Sequence, residues 1–330
     1  MLMCIFKLLL IIQERNDMEK EKSISVFMKY INHSINKNLY EDDFNDLCVN
    51  VKDKFKDVSM FFEEYRTLFI ELMSVIYQSD VQKKQTGLIN STIAGLMKEL
   101  TELLDSMYIL SNKNSNKAIF CLVRKFFEVY VQLIYILQEN SYEKSLVYNI
   151  KSALLIEQVS KRNEELSAIK KHIKNDILVN KYKKAMEKDK YKNWYYYYSK
   201  NNGNVSINSF SKLCYQINTP FSEDKKVVKT IYNKIYGPLS SDAHGFISDR
   251  NVVCINGKNK FLKYRNPYGI SYCMGLLNLC IPHICDSIII FYKLILKEEI
   301  IEEFLKKQKK ITEQITRIEG VLSIEDMVRV

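Results

Sequence analysis

Apolar and polar positions alternate along this 330-residue chain with a helical period over most of its length. Val58, Phe61, Phe62, Tyr65, Leu68, Phe69, Leu72 and Ile76 follow i, i+3, i+4 spacing and predict an amphipathic helix over 56–78. Ile93, Leu96, Met97, Leu100, Leu103, Leu104, Met107 and Leu110 predict a second over 91–110, with Ser91 or Thr92 as its N-cap. A polar loop, 111–116, leads into 117–137, a segment apolar nearly all round that belongs at the centre of a bundle. Further helices are expected at 142–160, 161–190, 206–217 and 222–236, with a turn at 201–204.

After Gly245 the period changes. Residues 251–265 carry β-branched residues, then Asn256-Gly257, then a second apolar run, which is a hairpin signal. Residues 272–296 read as a buried bundle helix, kinked or begun at Pro282. Asn278, His283 and Asp286 inside that stretch argue against a membrane span. Ile300, Ile301, Phe304, Leu305, Ile311, Ile315 and Ile318 close the chain with an amphipathic helix that packs on the bundle or on a second copy. The fold class is therefore all-α, a multi-helix bundle with one small β-hairpin. Its parts are an N-terminal helical region (18–89), a core (90–300), and a terminal helix and tail (301–330). The apolar start MLMCIFKLLLII is shorter than a bilayer span, and Met18 reads as the first residue of an ordinary cytosolic protein, which makes 1–17 untranslated or disordered.

Composition narrows the functional classes. Nine Gly and four Pro leave few positions for a turn-rich β architecture, and neither a Walker loop nor a Rossmann fingerprint is present. Eight cysteines form no Cys-x-x-Cys pair; several, such as Cys121, lie in apolar runs and read as small hydrophobes, which indicates a reducing, cytoplasmic setting. With four scattered histidines, neither a metal site nor a cofactor is expected. The net charge of +10 permits an RNA or membrane-surface partner without requiring one. The basic run 161–192 ends beside WYYYY at 194–198, and that juxtaposition has two readings. One is a nucleic-acid platform; the other is a solvated helix followed by a packing anchor.

Two groups of polar residues could carry chemistry. Arg124, Glu128 and Gln132 recur every four residues on the apolar segment 117–137. They mark either a thin solvent-exposed edge beside Lys125 or a buried Arg–Glu pair facing a cleft. The second group is Tyr236 to Gly245, YGPLSSDAHG. There Ser240 and His244 would share a face of a short helix, with Asp242 nearby. A neutral imidazole can take a proton from a hydroxyl, so the segment suits acid–base work; it equally suits a hydrogen-bonded junction.

R-x-x-x-E on the apolar helix (Arg124, Glu128) and, later, Y-x-x-L-S-x-x-x-H-G (Tyr236, Leu239, Ser240, His244, Gly245) together resemble a bacterial family, domain of unknown function 5677, over residues 90–300. The resemblance implies an all-helical, cytosolic protein whose activity is not established. That family is similar in outline to the HEPN-like and abortive-infection families, several of which are metal-independent ribonucleases. By that analogy the protein is a defence or stress effector. Arg124 would steady phosphate charge and His244 would act on the ribose hydroxyl, with Glu128, Ser240, Tyr236 and Asp242 in support. The sequence departs from their pattern of an Arg and a His a few residues apart on one helix: Arg162-Asn163 is followed only by the distant His172. The other class is a non-enzymatic interaction or sensor module in which the same residues form a structural lock.

Overall fold

The computed structural model describes residues 52–78, 87–113, 115–160, 176–188, 191–202, 206–217, 232–237, 252–255, 258–261, 270–292 and 298–318. Its long helices are α1 (Lys52–Gln78), α2 (Gly87–Asn112), α3 (Asn116–Leu137) and α4 (Ser141–Ser160). Then follow α5 (Asp176–Lys188), α6 (Trp194–Asn202) and the short α7 (Phe210–Cys214). A π-helical turn, Tyr232–Tyr236, precedes β1 (Val252–Ile255) and β2 (Lys258–Phe261), and α8 (Ile270–Tyr292) and α9 (Glu298–Ile318) end the described chain. The two strands pair antiparallel, Val252 opposite Phe261 and Ile255 opposite Lys258. The architecture is an all-α multi-helix bundle.

Helix α3 lies at its centre, packed against α2, α4, α7 and α8, while α1 is covered by α2, α8 and α9. The apolar stripe of α1, from Val58 to Ile76, is buried throughout, as the helical spacing predicts. Several local expectations shift. Helix α2 begins at Gly87, so Ser91 and Thr92 lie inside it and return their hydroxyls to the Leu88 carbonyl at 3.0 and 2.8 Å instead of capping. It also runs on to Asn112, into the predicted loop. Within the predicted 161–190 helix, the described portion is α5. Residues 201 and 202 continue α6, and the 206–217 segment condenses to α7, whose N-cap Ser209 accepts from the Lys212 amide at 3.2 Å. Cys121 is exposed, because it shares a face of α3 with the exposed Lys117 and Lys125; Cys214, Cys273, Cys280 and Cys285 are buried thiols. Residues 1–51 lie outside the described residues.

Helix α8 runs unbroken from Ile270, so Pro282 sits within it and does not begin it. By length and composition Cys273–Tyr292 could cross a membrane, yet 56% of that stretch is buried in the protein. Three of its polar side chains are matched by three other helices. Tyr65 of α1 donates to Asn278 at 2.7 Å, Tyr130 of α3 shares a 2.7 Å hydrogen bond with His283, and Tyr292 donates to Asn90 of α2 at 2.9 Å. Burial pulls the His283 imidazole down to about 4 from its usual 6.5, so it is neutral in the fold at pH 7. Between those two values the unfolded chain takes up a proton that the fold excludes, and stability falls as pH drops through the window. Wild type should therefore lose more stability than His283→Gln between pH 6.5 and 4.5, read as the shift in urea midpoint; equal losses would remove His283 as the cause.

The α3–α4 junction holds a buried cation. Asn140 takes the left-handed conformation (φ 61°) that Asn tolerates, which turns the chain from Leu137 into Ser141. One turn on, Lys144 is 4% exposed and donates to the Tyr135 carbonyl at 2.8 Å, one of the carbonyls left open at the end of α3. Its ammonium lies 4.1 Å from the centre of the Tyr135 ring and 5.6 Å from that of Tyr198. Burial lowers this amine to about 8 from 10.5, against the pull of Glu139. Above pH 8 the unfolded chain keeps a proton that the fold has released, so this group makes stability rise with pH up to about 10.5. The stability of wild type relative to Lys144→Met should rise between pH 8 and 10 and stay flat from pH 6 to 7.5, measured by urea unfolding across that range.

Candidate functional site

Arg124, Glu128 and Gln132 share the face of α3 that carries the exposed Lys117 and Cys121, and are themselves of intermediate exposure. Lys125, at the edge of that face, pairs with Glu99 of α2 at 3.2 Å. Arg124 Nε donates to Glu128 Oε1 at 3.2 Å, with the two side chains only 22% and 26% exposed. The Arg–Glu ion pair is formed, but both side chains are of intermediate exposure, between the solvent-exposed edge and the buried pair facing a cleft that the sequence left open. Gln132, one turn further, donates to the Glu128 carbonyl at 3.2 Å and accepts from the Trp194 indole at 2.8 Å. Each member of the stripe thus has a polar partner, as desolvated polar groups require.

What covers the pair is the π-helical turn. Tyr236 donates to Glu128 Oε1 at 2.8 Å, and the Arg124 guanidinium lies 5.5 Å from the centre of the Tyr236 ring. Tyr236 stacks on Tyr232 at 5.1 Å and packs on Phe210 at 5.0 Å and Phe127 at 5.8 Å. A π turn suits this arrangement, because it brings Tyr232 and Tyr236 into a near-parallel stack with 23° between the rings while aiming the Tyr236 hydroxyl at α3. Phe210 follows Ser209 at the start of α7, so the cap of that short helix also sets one wall of the aromatic cluster.

Local electrostatics act on Tyr236, Arg124 and Cys214. Burial raises the Tyr236 phenol above its ordinary value of 10, and the adjoining Glu128 carboxylate raises it further against the opposing Arg124. Burial pulls the Arg124 guanidinium down, while Tyr236 and Glu128 push it up by more, so it remains charged. Cys214, at the end of α7, is raised by burial and stays a thiol. Neither the phenol nor the thiol is a base at neutral pH, and the Glu128 oxygen already accepts two hydrogen bonds. Among the described residues no group of three His, Cys, Asp or Glu side chains is placed to hold a metal ion.

The structure thus brings together Arg124, Glu128 and Tyr236, three of the six residues named from sequence. Ser240, Asp242 and His244 lie outside the described residues. The WYYYY run proves mainly a packing anchor: Trp194, Tyr195, Tyr197 and Tyr198 are buried. Sequence reasoning missed Phe210, Tyr232 and the Trp194–Gln132 bond. Tyr232 was findable, since it precedes Tyr236 by four residues; Phe210 and Trp194 reach the stripe only through tertiary packing.

Replacing Tyr236 by Phe keeps the ring stack and removes the hydroxyl. It leaves a half-buried carboxylate short of one donor, a loss of about 1–2 kcal/mol. Chemical denaturation should register that loss, and Tyr232→Phe, whose hydroxyl does not reach the pair, should cost less.

No curated protein and no solved structure matches the chain. A family of unknown function, DUF5677, matches residues 90–259, just over half of the sequence. The matched region opens within α2 and closes in β2, earlier than the expected limit near residue 300, so it leaves out α1, α8 and α9. It contains the entire Arg124–Glu128–Tyr236 contact together with Ser240, Asp242 and His244. By that match the chain belongs to the DUF5677 family.

Proposed function

We propose that the protein is a non-enzymatic helical interaction module, in which Arg124, Glu128 and Tyr236 lock the segment leading to Ser240, Asp242 and His244 against the central helix. The observation that carries this reading is the shared Glu128 oxygen, which accepts from Arg124 Nε at 3.2 Å and from the Tyr236 hydroxyl at 2.8 Å. A guanidinium, a carboxylate and a phenol thus meet at one oxygen. Breaking that contact exposes a charge without its partner, which is costly in a half-buried site. A lock of this kind holds the π-helical turn at one place on α3, and a pre-organised surface is what recognition of a partner needs.

The rival reading makes the same residues, with Ser240 and His244, a cleft of a cytoplasmic defence effector that cleaves RNA without metal. The two differ in what a substitution does. On the lock reading, Arg124→Ala lowers the thermal midpoint by several degrees, and the wild-type protein shows no cleavage of single-stranded RNA in the presence of EDTA. Wild-type cleavage that disappears in Arg124→Ala and His244→Ala, with both variants melting normally, would overturn the lock and establish the cleft.

A further inference from the structure

A second surface, remote in the chain from the lock, is built by the turn before α6, by α6 itself and by α5. Tyr191 in that turn is 97% exposed, a whole aromatic ring in solvent. Its neighbour Lys192 and, eight residues on, Lys200 bring their ammonium groups to 5.6 and 5.5 Å from the centre of one ring, that of the half-buried Tyr196. Helix α5 is tied to the end of α6 by Asn202, which donates to the Tyr182 hydroxyl at 2.8 Å. Next to that contact stands Lys181, exposed, 5.4 Å from the Tyr182 ring centre.

Most of the charge on this surface has no carboxylate paired to it among the described residues. Among the described residues, Lys181, Lys184, Lys192 and Lys200 make no salt bridge, whereas Lys183 is paired with Glu187 at 3.9 Å. Glu143 of α4, which reaches towards α5, is occupied by the Tyr182 hydroxyl at 2.6 Å. The described parts of α5 and α6 with the intervening turn hold six lysines, and Asp176 and Glu187 are their only carboxylates. Two ammonium groups near one aromatic ring, neither paired with a described carboxylate, favour the arrival of an anion. Tyr191, which precedes Lys192 in the chain, offers a free flat apolar face, and the neutral unpaired bases of an anionic single strand stack on such faces.

We infer that this face binds single-stranded nucleic acid, Tyr191 stacking on an unpaired base while Lys192, Lys200 and Lys181 contact the phosphates. The four buried rings of α6 serve as the rigid base of the platform, so the anchor and platform readings of the aromatic run apply to different rings of the same segment. The inference stands on α5, α6 and their turn alone and does not rest on the lock.

The test is fluorescence anisotropy of labelled oligoadenylate RNA with the full chain. Tyr191→Ala should weaken binding about tenfold, and Tyr191→Phe should restore it, as loss of one stacked base predicts. Lys192→Gln and Lys200→Gln should each reduce the slope of log affinity against log salt by about 0.7, the loss of one single-strand phosphate contact. Tyr236→Phe should bind as wild type does, which separates this face from the lock. Because Tyr191 contacts solvent on nearly all sides, its variants should melt with wild type. Any of three results would overturn the inference: no binding at low salt, a Tyr191→Ala variant that binds as well as wild type, or equal affinity for a matched duplex, a polyglutamate peptide or anionic vesicles.

Discussion

The structure depends on enclosing α3. From Val129 to Ile136 every side chain of this helix except Gln132 is buried, and full burial of a large apolar side chain contributes roughly 1.5–3 kcal/mol. No single neighbour can cover such a helix, so α2, α4, α7 and α8 surround it. Enclosure imposes a second condition. Any polar group carried on α3 or on the helices around it loses water and needs a partner within the protein. Arg124, Glu128 and Gln132 meet that condition by pairing with one another, with Tyr236 and with Trp194.

Tyrosine is the residue that most often supplies the partner. Tyr65, Tyr130 and Tyr292 each join α8 to a different helix, Tyr182 ties α5 to α4 and α6, and Tyr236 ties the π-helical turn to α3. The reason is physical. A tyrosine buries a ring as large as phenylalanine's and still carries a hydroxyl at its tip, so one side chain both fills core volume and satisfies a polar atom on the next helix. A chain with 22 Tyr can therefore build a dense interior in which several polar intrusions are met by a phenol. Lys144 is the exception that uses the ring faces: its ammonium is held by a helix-end carbonyl and two tyrosine rings.

Much of this was legible in the sequence. The stripe from Val58 to Ile76 and the all-round apolar character of 117–137 located α1 and the central helix, because periodicity directly reflects which faces are buried. Asn278 and His283 find partners on other helices, as the reading of a buried bundle helix expected, although Pro282 was absorbed inside α8. Helix ends were the weak point: Ser91 and Thr92 look like caps, but the turn before them is stabilised by Ile89 in the core, so α2 starts earlier. The site was half legible. Spacing placed Arg124 and Glu128 together, since i, i+4 residues on a helix must meet, and the motif resemblance supplied Tyr236. That Tyr236 reaches Glu128 across 108 positions of chain is a tertiary fact that no local pattern encodes.

The central claim is that Tyr236 and Glu128 act as one unit to fix the π-helical turn on α3. A double-mutant cycle with Glu128→Ala, Tyr236→Phe and the combined variant, measured by urea unfolding, tests it most directly. The account predicts a coupling of about 1 kcal/mol or more, because the second substitution removes nothing once the first has broken the bond. A coupling within about 0.3 kcal/mol of zero, the level at which independent sites add, would contradict it.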